Sequence, residues 1–258
     1  MNRKKQFKEL HQQTEPLQIG NVWDCQSALM FEKAEYKAIG TSSAAIASSL
    51  GYEDGEQIGF EQLSYIVKQI TSKVSIPLTV DIEGGYSRDV NEIIKNIVAL
   101  SENGAVGINI EDSVVDDGRT ILNTRDFCKT IERIKSYLED NNINIFLNVR
   151  TDAYIMGLKN PLEETLSRAE MYEKAGADGI FVPCITAEAE IKEVVKSTAL
   201  PVNVMAMPNL PGFKALQRCG VKRVSMGPFL YNHMNKYLKN ILNDFEKDKS
   251  FDCLFVTK

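Results

Sequence analysis

KAGADGIFVP, residues 174–183, runs the end of a helix into the start of a strand within ten residues. Lys174 and Ala175 close an amphipathic stretch. Gly176 is the residue type that tolerates the left-handed conformation with which helices stop. GIFVP is a short apolar run of strand character. The same junction recurs as ENGAVGI at 102–108 and RCGVKRV at 218–224. Outward from these junctions, short apolar runs alternate with longer amphipathic ones. Strands are expected at 17–22, 37–42, 77–82, 106–111, 145–150, 179–183, 201–205 and 223–227. Helices are expected at 25–35, 60–73, 89–103, 124–140, 161–175, 187–197, 211–219 and 229–246. Strict alternation predicts a parallel sheet. Eight such units in 258 residues predict a closed (β/α)8 TIM barrel, with a doubly wound open sheet as its rival. Pro77 and Pro201 each open a strand, where proline is tolerated. No low-complexity stretch or Pro/Gly/Ser-rich linker interrupts the pattern. One domain over 1–258 is therefore expected, with an N-terminal arm at 1–16 and a C-terminal helix and tail at 229–258. The apolar tail FDCLFVTK, 251–258, is expected to pack on a partner subunit or on its own barrel.

Composition narrows the function classes. Hydrophobic residues make up 43% and charged residues 25%, an ordinary soluble balance. Net charge is −5 with no basic block, which argues against a nucleic-acid partner. No apolar run approaches the roughly 18–20 residues of a membrane span, and MNRKKQFKELHQQTEP lacks the apolar region of a secretory signal. The five cysteines are odd in number and scattered, without Cys-x-x-Cys, and read as reduced thiols in a cytoplasmic protein.

In a barrel of this kind the active site forms at the C-terminal ends of the strands. There the sequence delivers Asn21, Trp23 and Asp24; Thr41, Ser42 and Ser43; Asp81 and Glu83; Asn109, Glu111 and Asp112; Asn148, Arg150 and Asp152; Pro183 and Cys184; Asn203; and Ser225. Asp81 and Glu83 lie two apart in DIEGGY, 81–86, so they share a face while strand geometry lasts. Asp81, Glu83 and Glu111 come from adjacent strands. Converging carboxylates without a counter-ion repel and carry a large desolvation cost. A hard divalent cation such as Mg2+ resolves this, keeping several waters around one or two carboxylates. The Gly84–Gly85 pair then lets the backbone turn away sharply and pass close to a ligand. Helix capping is the bland role for such acids. Arg150 suits bidentate recognition of a substrate carboxylate or phosphonate, or structural neutralisation of Glu111 or Asp152.

The motifs TSSAAIASSLGYEDGE (41–56), DIEGGY (81–86), GINIEDS (107–113), NVRTDAYI (148–155) and AGADGIFVP (175–183), in that order, resemble the isocitrate lyase/phosphoenolpyruvate mutase superfamily. The resemblance covers roughly residues 17 to 230. It implies a (β/α)8 barrel assembled as a homodimer or homotetramer, with the last helix swapped between neighbours. It also implies Mg2+ (or Mn2+) and a small 2-oxo or 2-hydroxy acid substrate. Motif by motif, Asp81 resembles the direct metal ligand, and Asp54, Glu83 and Glu111 resemble the acids that hold the metal's waters. Ser42, Ser43 and Ala44 match the loop that binds the substrate carboxylate through backbone N–H groups. Arg150 matches the arginine that contacts substrate and enolate. Arg150 and Asp54 are thus the catalytic candidates, and Trp23 and Asn203 complete the substrate-binding set.

The departures are equally informative. The lyases carry a Lys-x-Cys-Gly-His loop after the fourth-strand acid. Here EDSVVDDGRTILNTRDF, 111–127, has no lysine, cysteine or histidine before Phe127. The Lys-x-Asn-Ser gating loop of the mutases and phosphonopyruvate hydrolases is also absent. Cys128 reads as core, and Cys184 as small apolar filling or a thiol at the site. His11 and His233 carry no expected catalytic role. Tyr52, Tyr86 and Tyr154 are candidates for a late protonation. The reading is a Mg2+-dependent lyase or decarboxylase working through a pyruvate-like enolate. Alternatives are a phosphonate mutase or hydrolase, with Arg119 standing in for the missing lysine, and a non-catalytic binder of metal and oxo acid.

Overall fold

The computed structural model describes residues 3–116 and 118–255. In chain order the elements are α1 (Arg3–Leu10), β1 (Leu17–Val22), α2 (Cys25–Lys33), β2 (Ala38–Thr41), α3 (Ser43–Ser49), α4 (Phe60–Thr71), β3 (Leu78–Asp81), α5 (Val90–Glu102), β4 (Gly107–Glu111), β5 (Ser113–Asp116) and β6 (Gly118–Ile121). There follow α6 (Thr124–Asp140), β7 (Phe146–Arg150), α7 (Pro161–Lys174), β8 (Gly179–Val182), α8 (Glu188–Ser197), β9 (Val202–Met205), α9 (Phe213–Cys219), β10 (Arg223–Ser225), α10 (Phe229–Asp248) and a short 3-10 turn at Asp252–Leu254.

Eight strands close a barrel in the order β1-β2-β3-β4-β7-β8-β9-β10, every pair parallel. The expected TIM barrel is therefore present. The three glycine junctions explain how each helix hands over to its strand. Gly104, Gly176 and Gly220 have φ of +94°, +96° and +89°, values an L side chain rarely adopts. The barrel helices bury one apolar stripe each. Leu63, Val67 and Ile70 of α4, and Ile93, Ile94, Ile97 and Leu100 of α5, repeat at helical spacing against the strands.

Three segments differ from the sequence expectation. Residues 3–10 of the N-terminal arm form α1, which covers the N-terminal mouth of the barrel. Its Phe7 is fully buried and packs edge-on against Phe146. With Leu10, Leu17, Ile19, Ala38 and Val106 these two form a second core cluster. The loop after β2 contains α3. The segment after β4 is an antiparallel hairpin, β5–β6, paired from Ser113↔Ile121 to Asp116↔Gly118. Of the apolar tail, residues 256–258 lie outside the described residues, and Phe251, Leu254 and Phe255 are exposed on this single chain. No helix among the described residues is long and apolar enough to cross a membrane.

Candidate active site

Strand register decides which groups meet. Asp81 of β3 lies beside Asn109 of β4. Asn109 lies beside Asn148 of β7, and Glu111 beside Arg150. Arg150 in turn lies beside Phe181 of β8. The C-terminal strand ends open into a pocket of about 200 Å3, lined by Ser42, Ser43, Ala44, Asp54, Asp81, Arg119 and Arg150 together with Asn21, Asn109, Pro183 and Ser225. A roomier cleft of about 480 Å3 lies at the other end of the barrel, around Lys8, His11 and Lys222. It is remote from the strand ends that carry the acids.

Asp81 is fixed from three sides. Its N–H donates to Thr41 Oγ1 at 2.8 Å. Its Oδ1 accepts the Glu83 N–H at 3.3 Å, and its Oδ2 accepts the Ser43 hydroxyl at 3.5 Å. Burial pushes its carboxyl above the usual range; Arg150 opposes this and Asp54 adds to it. Glu83 is buried, accepting the Glu56 N–H on Oε2 at 2.9 Å and the Tyr86 hydroxyl on Oε1 at 3.4 Å. Burial, and then the nearby Asp54, Asp81 and Glu111, push its carboxyl up to about 8. Glu111 is pushed up to about 7 by burial, against the pull of Arg150 and Arg119. Among the described residues, no group of three or more His, Cys, Asp or Glu side chains is arranged to hold a metal ion.

The glycine pair after Glu83 serves packing more than a ligand. Gly85 has φ of +101°, and a Cβ there would sit 2.8 Å from Ile93 Cγ1. The close approach is to α5, not to the pocket, and Gly85 N–H donates to Ile82 O at 2.7 Å to close the turn. Glu83 itself takes φ of +49°, a strained value for a glutamate.

Arg150 is committed to protein carboxylates through all three nitrogens. Nε donates to Asp152 Oδ1 at 2.6 Å and Nη2 to Asp152 Oδ2 at 3.1 Å. Nη1 forms a 2.8 Å ion pair with Glu111 Oε2, although the geometry falls short of a hydrogen bond. Structural neutralisation is thus one of its roles, while its guanidinium still lines the pocket. Burial opposes ionisation of Asp152, yet Arg150, Ser113 and Arg119 hold its carboxyl below the usual range. Arg119 arrives from the hairpin. Its Nη1 donates to Glu111 Oε1 at 2.5 Å, Asp152 Oδ2 at 2.7 Å and Ser113 Oγ at 2.8 Å. Behind this cluster, Asp112 is buried with Arg168 at 2.9 Å and the Tyr172 hydroxyl at 2.7 Å.

The remaining candidates are placed as follows. Ser42 caps α3, its Oγ accepting the Ala45 N–H at 3.3 Å. Ser43 and Ala44 lie in the first turn, whose N–H groups have no intrahelical acceptor. Asp54 is exposed at the rim. Two of the substrate-binding candidates lie off the pocket wall. Trp23 does not line the pocket; it packs edge-on against Tyr231 of α10, ring centroids 5.0 Å apart. Asn203 is fully buried below the pocket floor, bonded to Val204 O, Ser225 Oγ and Asn148. His11 stacks on Phe146 at the barrel's other end, and Cys128 is core. Tyr154 is held by Glu190 at 3.0 Å, away from the site. The hairpin escaped the sequence reading although Asp117–Gly118, flanked by alternating residues, is a strong hairpin signal.

Comparison with known proteins gives the family. The phosphoenolpyruvate phosphomutase family model matches residues 7–245. An uncharacterized Mycobacterium tuberculosis protein is 33% identical over 226 residues, covering 88% of this chain and 83% of that protein. The 2-methylisocitrate lyase of Aeropyrum pernix is 28% identical, covering 76% of this chain and 63% of the enzyme. A Burkholderia cenocepacia structure, provisionally named a phosphonomutase, superposes with a TM-score of 0.89 at 31% identity, covering 94% of this chain and all of that one. The chain belongs to the isocitrate lyase/phosphoenolpyruvate mutase superfamily, and it is an enzyme of that lyase and phosphonomutase type.

Proposed function

We propose that the enzyme breaks a bond at C3 of a small 2-oxo acid with the help of Mg2+ or Mn2+, leaving a pyruvate-like enolate. The observation that carries this reading is one 200 Å3 pocket joining Ser42–Ala44, Asp81 and two arginines. The acids fit a divalent ion. The half-buried Asp81 and the buried Glu83 and Glu111 hold their protons more tightly than free carboxyls, through desolvation and nearby carboxylates that Arg150 and Arg119 only partly offset, so a further cation would relieve them. Asp81 would contact the ion, while Glu83, Glu111 and the rim Asp54 would hold its waters, which suits an ion that keeps most of its hydration. When bound, it would supply Lewis-acid stabilisation of the developing negative charge.

The chain's own groups do the rest. First-turn N–H groups of Ser43 and Ala44 bind the C1 carboxylate. Arg150, locked by Asp152 and Glu111, presents a fixed positive charge to the enolate oxygen without reorganising during the reaction. With oxaloacetate the C3–C4 bond breaks, CO2 leaves, and its electron pair passes into the enolate. A proton then adds at C3 to give pyruvate. Bond breaking by this route needs no general acid, in keeping with a segment that has no lysine, cysteine or histidine.

Self-association through α10 belongs to the same reading. Leu230, Met234, Tyr237, Leu238 and Leu242 are all exposed along one side of this helix, an apolar stripe that a second copy would cover.

The test is pyruvate release from oxaloacetate, phosphonopyruvate and a substituted malate, with and without Mg2+, beside Asp81→Ala to subtract decarboxylation by free metal. Release that requires both metal and Asp81 is expected. Rates equal to those of Asp81→Ala on every substrate would overturn the reading.

A further inference from the structure

The two arginines in the pocket are not equivalent. Arg150 faces protein carboxylates with Nε, Nη1 and Nη2 alike. Arg119 spends Nη1 on all three of its acceptors. Its Nη2 and Nε have no hydrogen-bond partner among the described residues, yet the side chain lines the pocket and is 21% exposed. An anchored guanidinium with an open edge is a pre-organised fork for an oxyanion. The anchor also has a second consequence. Glu111 and Asp152 hold Nη1, so the guanidinium plane is set before any ligand arrives, and little rotamer entropy remains to be lost.

Its position adds to the argument. Arg119 sits on β6, in a hairpin that begins two residues after Glu111. It reaches the pocket from the β4–β7 side, whereas Ser42–Ala44 follow β2. A substrate lying across Asp81 of β3 would have its C1 carboxylate at one side and its C3 substituent toward the other.

We propose that Arg119 is the specificity-determining residue for a second acidic group on C3 of the substrate, carboxylate or phosphonate, received by its Nη2–Nε edge. This rests on the 2-oxo acid reading above and narrows it: the substrate is a doubly acidic 2-oxo acid rather than a simple one such as pyruvate. The hairpin then supplies by a fixed cation what related enzymes supply by a gating loop.

The experiment measures affinity in Mg2+ buffer, by calorimetry, for four probes: oxalate and pyruvate, which lack the C3 acidic group, and freshly dissolved oxaloacetate and phosphonopyruvate, which carry it. Native protein is compared with Arg119→Met and Arg119→Lys, with melting curves confirming the fold. In Arg119→Met, oxaloacetate or phosphonopyruvate is expected to weaken about 10- to 100-fold, the scale of a charge-assisted fork. Oxalate and pyruvate stay within about threefold. Arg119→Lys restores part of the loss, and the probe that weakens more identifies the C3 group. Equal weakening of all four probes would show that Arg119 merely supports Glu111, and overturns the proposal. No change in any probe overturns it as well. If native protein binds none of the four, the 2-oxo acid reading itself fails and takes this proposal with it.

Discussion

The metal-free enzyme should lose stability as pH rises above neutrality. Glu83 holds its proton in the fold to about pH 8, whereas the unfolded chain releases it near 4.5. Between those values the native state binds more protons than the unfolded state, so unfolding free energy falls with pH. The slope from one such group is about 1.4 kcal/mol per pH unit. From pH 6.5 to 8, Glu83 alone costs the fold about 2 kcal/mol, and Glu111, raised to about 7, adds a fraction of that. The window matters because His11 works in the opposite sense. Burial, and then Arg223, push His11 down to about 3 from 6.5. Its neutral form stabilises the fold fully above pH 6.5, and that contribution is lost as pH falls toward 3. Between 4.5 and 6.5 the His11 limb therefore offsets that of Glu83. Above 6.5 only the carboxylates act.

The assay is thermal unfolding of chelator-treated protein at pH 6.5, 7.5 and 8.5. A loss of 2–3 kcal/mol corresponds to a fall in Tm of about 5–10 °C in a chain of this size. Glu83→Gln should remove most of the slope, because the neutral amide replaces the group that ionises. Saturating Mg2+ should flatten it too, since metal binds the deprotonated form and gains affinity as pH rises. A Tm that stays level or climbs from pH 6.5 to 8.5 without metal would refute the reasoning, because it would mean that Glu83 and Glu111 are already ionised in the metal-free fold.

Other outcomes follow from the same contacts. Arg168→Met leaves Asp112 buried with Tyr172 but without its cation, and should cost about 3–5 kcal/mol in urea unfolding; Arg168→Met combined with Asp112→Asn should recover part of it. Gly85→Ala adds a Cβ 2.8 Å from Ile93 at φ of +101°, and should cost about 1–3 kcal/mol, partly relieved by Ile93→Ala. Leu238→Lys on the exposed stripe of α10 should lower the mass seen by light scattering to that of one chain, 28.9 kDa; native protein already at that mass would remove the self-association reading.

The barrel was legible because its information is local and repeated. Each junction such as KAGADGI states its own turn, and eight repetitions leave little freedom in topology. The N-terminal helix was harder to read because its burial rests on Phe7 and Leu10 within an otherwise charged stretch. Their partner Phe146 lies about 140 residues away in sequence. The place of Trp23 was hard to read for a related reason: a strand end predicts a position at the pocket, but the ring packs on Tyr231, from the far end of the chain. The acids at the strand ends were readable as a set, since strand register alone aligns Asp81, Asn109, Glu111 and Arg150. How each arginine distributes its donors was not, because that depends on pairs such as Arg119–Asp152 and Arg150–Glu111, separated by more than thirty residues.

That distribution changes how the missing lyase loop is understood. From sequence, the segment after Glu111 reads as a loss: no thiol, no histidine, no lysine. In three dimensions it is a hairpin whose Arg119 closes an ion network with Glu111, Asp152 and Ser113. A residue kept only to neutralise buried acids would gain nothing from an open guanidinium edge, since Arg150 already contacts both carboxylates. The second arginine matches the second of the two carboxylates in charge, and under the proposal its open edge is what a C3 acidic group would meet. If the proposal holds, the segment supplies a fixed cation at a position where the resemblance implies a loop carrying lysine or thiol, and that suits a reaction whose bond breaking needs charge stabilisation more than proton transfer.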